Sequence, residues 1–185
     1  DIRKFHSDFL AKLDLAILSG GNITRATTLN TAKLIEAVLL KSASKTSVER
    51  AKVVKLSKES KWLNRFDIDH KDTGFFHYLQ GTDKSYQERA KFLLLTQVLS
   101  SSYYNQVRTE KQLGYVVFAT NFELLEVPGL AFIVQSPNTL GDALSKETDD
   151  FLASAIEIFS EMDISSLEQH KQSVISRLLK KDNTL

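Results

Sequence analysis

Arg108-Thr109-Glu110-Lys111-Gln112-Leu113-Gly114-Tyr115 joins the longest helical pattern of the chain to its clearest strand pattern. Upstream, Ala90, Leu93, Leu94, Val98 and Tyr104 supply the apolar stripe of a helix from about Tyr86 to Val107, capped by Asp83 or Ser85. Downstream, Leu113 to Ala119 alternates as a half-buried strand does. Arg108 falls in the last turn of that helix, where the macrodipole favours a cation by about 0.3–1 kcal/mol. Tyr115 falls on the strand face of Leu113 and Val117, where a phenol packs its ring and needs a partner for its hydroxyl. By local physics alone, the stretch is a helix stop followed by a strand start.

Working outward, Pro128-Gly129 leads by a hairpin-like crossing into a second strand, Leu130 to Gln135, and Gly74 to Gln80 reads as an aromatic-rich strand before the helix. Val53 to Leu56 and Trp62 to Ile68 are shorter strand candidates. Leu13, Leu15 and Ile17 suggest a short buried strand closed by Gly20-Gly21, after which Thr24 caps a helix ending near Leu40 or Lys41. Ser42 to Lys52 reads as a loop. Leu140, Leu144, Phe151, Leu152, Ala155, Phe159 and Met162 form another helical stripe, and Ser165 opens a last helix carrying Leu167, Val174, Ile175, Leu178 and Leu179. This grouping predicts an α+β fold in two layers, a mainly antiparallel sheet with helices packed on one face. Residues 1–185 are expected to be a single domain, with residues 1–12 as the tail of a preceding domain or a linker. The start at Asp1 without methionine, and the stop just after a helical pattern, suggest a piece of a longer chain.

The composition is that of a globular domain: 185 residues, 42% hydrophobic and 25% charged, enough chain to bury roughly two-thirds of its unfolded surface. The net charge of +1 hides an uneven distribution. Seven basic residues from Lys41 to Lys61 stand against Glu49 and Glu59, a local +5, and Asp142 to Asp163 carries a local −6. Such a dipole suits docking or steering of a charged ligand, although solvated faces of a loop and a helix produce the same pattern. Without cysteine the chain has no disulfide, no Cys-based zinc site and no Cys–His catalysis. No apolar run approaches the ~20 residues of a membrane span. Nucleic-acid binding would rest on the basic run, where aromatic interleaving is nearly absent and Trp62 stands alone at its edge; no nucleic-acid or membrane partner is expected.

Metal, nucleophile and phosphate chemistry each lack their residues. None of His6, His70, His77 and His170 has a second histidine four residues on, as two imidazoles on one helical face require. His77 shares a strand face with Phe75 and Leu79 and reads as a core or edge histidine. There is no G-x-S-x-G elbow, no G-x-G-x-x-G and no G-x-x-x-x-G-K. Asp149-Asp150 are adjacent on a helix and diverge rather than converge on a cation.

The stretch Arg108-Thr109 followed by Gln112-Leu113-Gly114-Tyr115-Val116-Val117-Phe118 closely resembles the R-T-x-x-Q-L-G-Y-x-V-F segment of the pitrilysin and insulysin family of inverzincin metallopeptidases. Gly129-Leu130-Ala131-Phe132-Ile133-Val134-Gln135-Ser136 is similar to that family's G-L-x-F-x-x-Q-S, and Gly21-Asn22-Ile23-Thr24 to its G-N-x-T turn. The likeness runs from about Leu13 to Leu179. It implies the last, non-catalytic domain of a four-domain zinc endopeptidase whose two halves close over a chamber. The zinc-binding H-x-x-E-H motif occurs at none of the four histidines, so the resemblance implies no metal and no catalytic residue in this segment, and no activity for it alone. Zinc would lie in the N-terminal half of the parent enzyme, which would be the partner of this chain along with peptide substrates. Arg108 and Tyr115 would be its substrate-binding residues: Arg108 orienting substrate and holding the loop, Tyr115 donating its hydroxyl to the carbonyl or the substrate backbone. The resemblance also implies a bacterial, periplasmic setting. The alternative is an inactive structural or assembly subunit on the same fold, which would have no need of both Arg108 and Tyr115.

Overall fold

The computed structural model describes residues 1–13, 15–41, 51–57 and 61–180. The chain forms two compact units, with the boundary between Ala51 and Lys52.

In the first unit, α1 spans Ile2–Ala11 and α2 spans Arg25–Leu39. Asp1 caps α1 by accepting the amide of Arg3. Thr24 caps α2 as expected: its hydroxyl oxygen accepts the amide of Thr27 at 3.2 Å, satisfying a donor that the first helical turn leaves free. The strand expected across Leu13 to Leu18 is not formed by its described residues, Asp14 lying outside them. Residues 15–20 are irregular, and Leu18 is 99% exposed. Alternation makes a strand only where a neighbour accepts the backbone bonds and a core takes one face, and no described strand pairs with this segment.

The second unit holds β1 (Thr73–Gln80), α3 (Tyr86–Tyr104), β2 (Val116–Asn121), β3 (Gly129–Ser136), α4 (Gly141–Glu161) and α5 (Ile164–Leu178). The three strands pair antiparallel in the order β1-β3-β2, as the α+β expectation requires. The central β3 aligns Phe132 with His77 on one side and Ala119 on the other. On one sheet face Leu130, Phe132, Val134, Val117 and Ala119 pack with Val98, Leu99, Tyr103 and Val107 of the α3 run and with Leu144 and Phe151 of α4. Tyr103, Phe132 and Phe151 meet edge to face with ring centroids 4.7–6.0 Å apart, the arrangement aromatic quadrupoles favour. On the other sheet face Phe76 and Phe118 remain exposed.

β2 and β3 are joined as a hairpin, as Pro128-Gly129 suggested. Its turn lies three residues earlier, where Leu124 and Val127 exchange backbone bonds around Leu125 (φ 48°) and Glu126 (φ 72°). Two left-handed residues fit the right-handed twist of the strands, although neither is the glycine or asparagine usual there.

Helix phase corrects several core assignments. Tyr103, not Tyr104, points into the core, and Ala90 is exposed, because the stripe of α3 also includes Thr96 and Leu99. Leu140 lies outside the stripe of α4, and α5 is capped by Asp163 rather than opened by Ser165. Ser85 caps α3. Neither short upstream candidate is a strand. Gln80 Nε2 donates to Val54 O at 3.0 Å and Gln80 Oε1 accepts the Leu56 amide at 2.9 Å, so a side chain replaces the ladder. Within Trp62 to Ile68, Arg65 pairs with Asp142, while Lys61 pairs with Asp149, both at 2.5 Å. Lys61 of the basic run thus pairs with the acidic α4, while Lys45, Arg50 and Lys58 lie outside the described residues, as does most of the expected loop Ser42 to Lys52.

Candidate functional site

After Tyr104 the helix widens. Asn105–Glu110 is π-helical, with the Lys111 amide bonding Gln106 O at 3.0 Å, five residues back. The widened turn keeps Val107 buried while the chain prepares to reverse. Gln112 takes φ 52°, the Leu113 amide bonds Val107 O, and Gly114 slides against β3. A Cβ at Gly114 would stand 2.6 Å from Val134 Cγ1 and 2.7 Å from Gln135 O, so the close approach requires glycine. Glu147 of α4 holds this segment from outside: one carboxylate oxygen accepts the amide of Gln106 at 2.7 Å, and both oxygens meet Lys111 Nζ at 2.7 Å.

Arg108 lies between those two tethered residues. Its side chain is half-buried and makes no hydrogen bond or ion pair with another described residue. A shallow cleft of about 370 Å³ opens at the same helical end, lined by Ser100, Ser101, Tyr104, Asn105, Phe118 and Ala119.

Tyr115 sits beyond the turn, just ahead of β2, and is 48% exposed, so its ring does not share the buried position of Val117. The strand begins only at Val116, and the left-handed Gln112 and the glycine break the alternation that would have carried the phenol inward. Its hydroxyl donates to Asp72 Oδ2 at 2.5 Å, and Gln135 Nε2 donates to the same oxygen at 3.2 Å. The Asp72 amide in turn donates to His70 Nδ1 at 3.1 Å. The phenol's bond to Asp72 pushes the Tyr115 hydroxyl above its ordinary pKa. The same bond, aided by Gln135 and His70, holds the Asp72 carboxyl below its own, against a smaller opposing effect of burial.

No hydrogen bond joins Arg108 to Tyr115; the turn Lys111–Gly114 separates them. Asp72, Gln135 and Glu147 were not singled out from sequence. Gln135 lies in a quoted motif segment, but Asp72 and Glu147 carry no local signal. They reach the junction only through strand register and helix packing.

His77 is held below its usual pKa, chiefly by burial, and stands edge-on to Phe132, 6.1 Å between ring centroids. Among the described residues no three His, Asp or Glu side chains converge on a point that could hold a metal ion, so zinc has no fitting donor set there. No helix of the described chain is long and apolar enough to cross a membrane.

A family model described as PQQ synthase PqqF-like, C-terminal lobe domain 4, matches residues 94–185. The chain is 26% identical to the insulin-degrading enzyme of Homo sapiens over 191 residues, which takes in 100% of the chain and 18% of that enzyme. It is 33% identical to protease 3 of Escherichia coli K12 over 100 residues, 54% of the chain and 10% of that protein. A crystal structure of pitrilysin superposes with a TM-score of 0.72 and 27% identity, covering 89% of the chain and 17% of that structure. The chain thus spans under a fifth of the length of the curated relatives it matches.

Proposed function

Because the chain belongs to the insulinase-like, pitrilysin family as a C-terminal domain, we propose that it is the non-catalytic part of a zinc-dependent endopeptidase. In this reading it binds peptide opposite a zinc-bearing N-terminal half and closes the chamber over it. Arg108 carries the proposal. A partly buried guanidinium without a counter-ion among the described residues leaves its donors open to a ligand. A peptide carbonyl or carboxylate suits its planar fork of donors. Tyr115, half exposed across the turn, places its hydroxyl on the substrate backbone. Groups supplied from a separate half make turnover depend on closure. When bound in the other half, zinc would polarise the scissile carbonyl, and this chain's residues orient the peptide that carries it.

The test is turnover of a quenched fluorescent peptide by the full-length protein. Arg108→Ala is expected to lower kcat/KM by about 10- to 100-fold, the range of a bond from a charged group, and Tyr115→Phe by about 3- to 10-fold, that of a neutral one, with thermal stability nearly unchanged. Wild-type turnover in both variants would refute the assignment. This chain alone, with added zinc, is expected not to cleave, and chelator-sensitive cleavage would contradict the non-catalytic reading. The second reading, an inactive assembly subunit of the same fold, gains support if the full-length protein itself is inert. The bacterial, periplasmic setting remains a proposal on resemblance alone, tested by fractionating the source cell.

A further inference from the structure

A phenol has one proton to donate and two lone pairs with which to accept. In Tyr115 the proton is committed: the hydroxyl donates to Asp72 Oδ2 at 2.5 Å, in the range of a charge-assisted O–H···O⁻ bond. Asp72 is itself held in place, because it precedes β1, accepts Gln135 Nε2 on the same oxygen and donates its backbone amide to His70. Thr73 is aligned with Ser136 and Val116 with Gln135, so the strand pairing that builds the sheet also brings carboxylate and phenol together. What Tyr115 presents to solvent is therefore its lone pairs.

We propose that Asp72 is a positioning residue that fixes Tyr115 as a hydrogen-bond acceptor for a peptide N–H of the substrate, rather than as a donor to a carbonyl. This reverses the direction expected for the tyrosine from resemblance, and it rests on the reading of Tyr115 as a substrate-binding residue. An ionised carboxylate is a stronger acceptor than an amide carbonyl, so a ground-state substrate carbonyl does not win the proton from Asp72. Donation to Asp72 also enriches the phenol oxygen as an acceptor, because hydrogen bonds in series polarise one another. The low Asp72 carboxyl pKa and the raised phenol pKa agree with this direction. Among backbone groups only the N–H is a donor, so the ligand is an extended peptide segment with an unpaired amide beside Tyr115.

The test uses the full-length protein and a peptide substrate with its backbone-ester analogues, in which one non-scissile N–H at a time is replaced by oxygen. At one position the ester should lower kcat/KM by about 3- to 10-fold, the range of a single hydrogen bond. In Tyr115→Phe the same replacement should have no effect, and in Asp72→Asn the loss should shrink, since an asparagine amide can donate to the phenol and turn its proton outward. If Tyr115→Phe loses turnover but no ester position couples to it, the acceptor role falls while the substrate-binding reading stands. If Tyr115→Phe keeps full turnover, both fall. A readout independent of activity is the near-ultraviolet phenolate titration, with Tyr115→Phe as the subtraction reference. The Tyr115 signal should titrate at lower pH in Asp72→Asn than in the parent protein, and an unmoved signal would overturn the role of Asp72.

Discussion

Lys111 Nζ lies 2.7 Å from both carboxylate oxygens of Glu147, and Gln106, five residues before Lys111, donates to one of those oxygens. One side chain of α4 thereby spans the π-helical turn that presents Arg108.

The Glu147 side chain is only 11% exposed, so its bonds are shielded from the screening that weakens surface pairs. Glu147→Ala should destabilise the protein by about 1.5–3 kcal/mol in urea unfolding. It should also lower peptide turnover in the full-length protein by more than Lys146→Ala, which removes only the exposed pair with Asp150. Equal effects of the two substitutions would show that the turn does not need its tether.

Gly114→Ala should cost about 1–3 kcal/mol through overpacking, because the new methyl would meet Val134 and the backbone oxygen of Gln135 well inside contact distance. The measurement is the shift in urea midpoint at constant slope. A neutral result would mean that β3 yields at Val134, and the tight junction would then not depend on glycine.

The hairpin turn predicts a gain. Glu126 sits at φ 72° without being glycine, and its contact with Lys84 is exposed and long at 3.6 Å. Glu126→Gly should raise stability by roughly 1 kcal/mol by removing the left-handed penalty. A loss of stability would indicate that Glu126 has a compensating contact.

Tyr103 sets an alkaline limit. Burial drives its hydroxyl from 10.0 up to about 12, with the Thr148 bond opposing that rise. The protonated form is the one the fold holds, so the unfolded chain loses its proton first as pH rises. The stabilisation is complete below about pH 10 and is lost between about 10 and 12, amounting to about 2–3 kcal/mol at most. Tyr103→Phe should flatten that part of the stability–pH curve. A wild-type slope persisting in the variant would assign it to another group.

The fold class was legible because period-two and helical patterns mark which face of each element is apolar. Thr24 and Ser85 were legible as caps because a cap acts within three residues of itself. The phase of α3 was not: Tyr103 and Tyr104 are chemically alike, and only the position of Phe132 and Phe151 decides which ring enters the core. The segment at Leu13 to Leu18 shows the reverse failure, an alternation with no described neighbour to complete it.

By itself the sequence determined the two-layer α+β architecture, the likeness to a family of peptidases, and Arg108 to Tyr115 as the junction to watch. Only the tertiary structure decided that Tyr115 donates to Asp72, 43 residues away, and that Lys111 is bound by Glu147, 36 residues on. Patterning declares which face of an element is buried, whereas strand register and helix packing decide which distant side chains meet. Those depend on many small packing terms summed over the whole sheet.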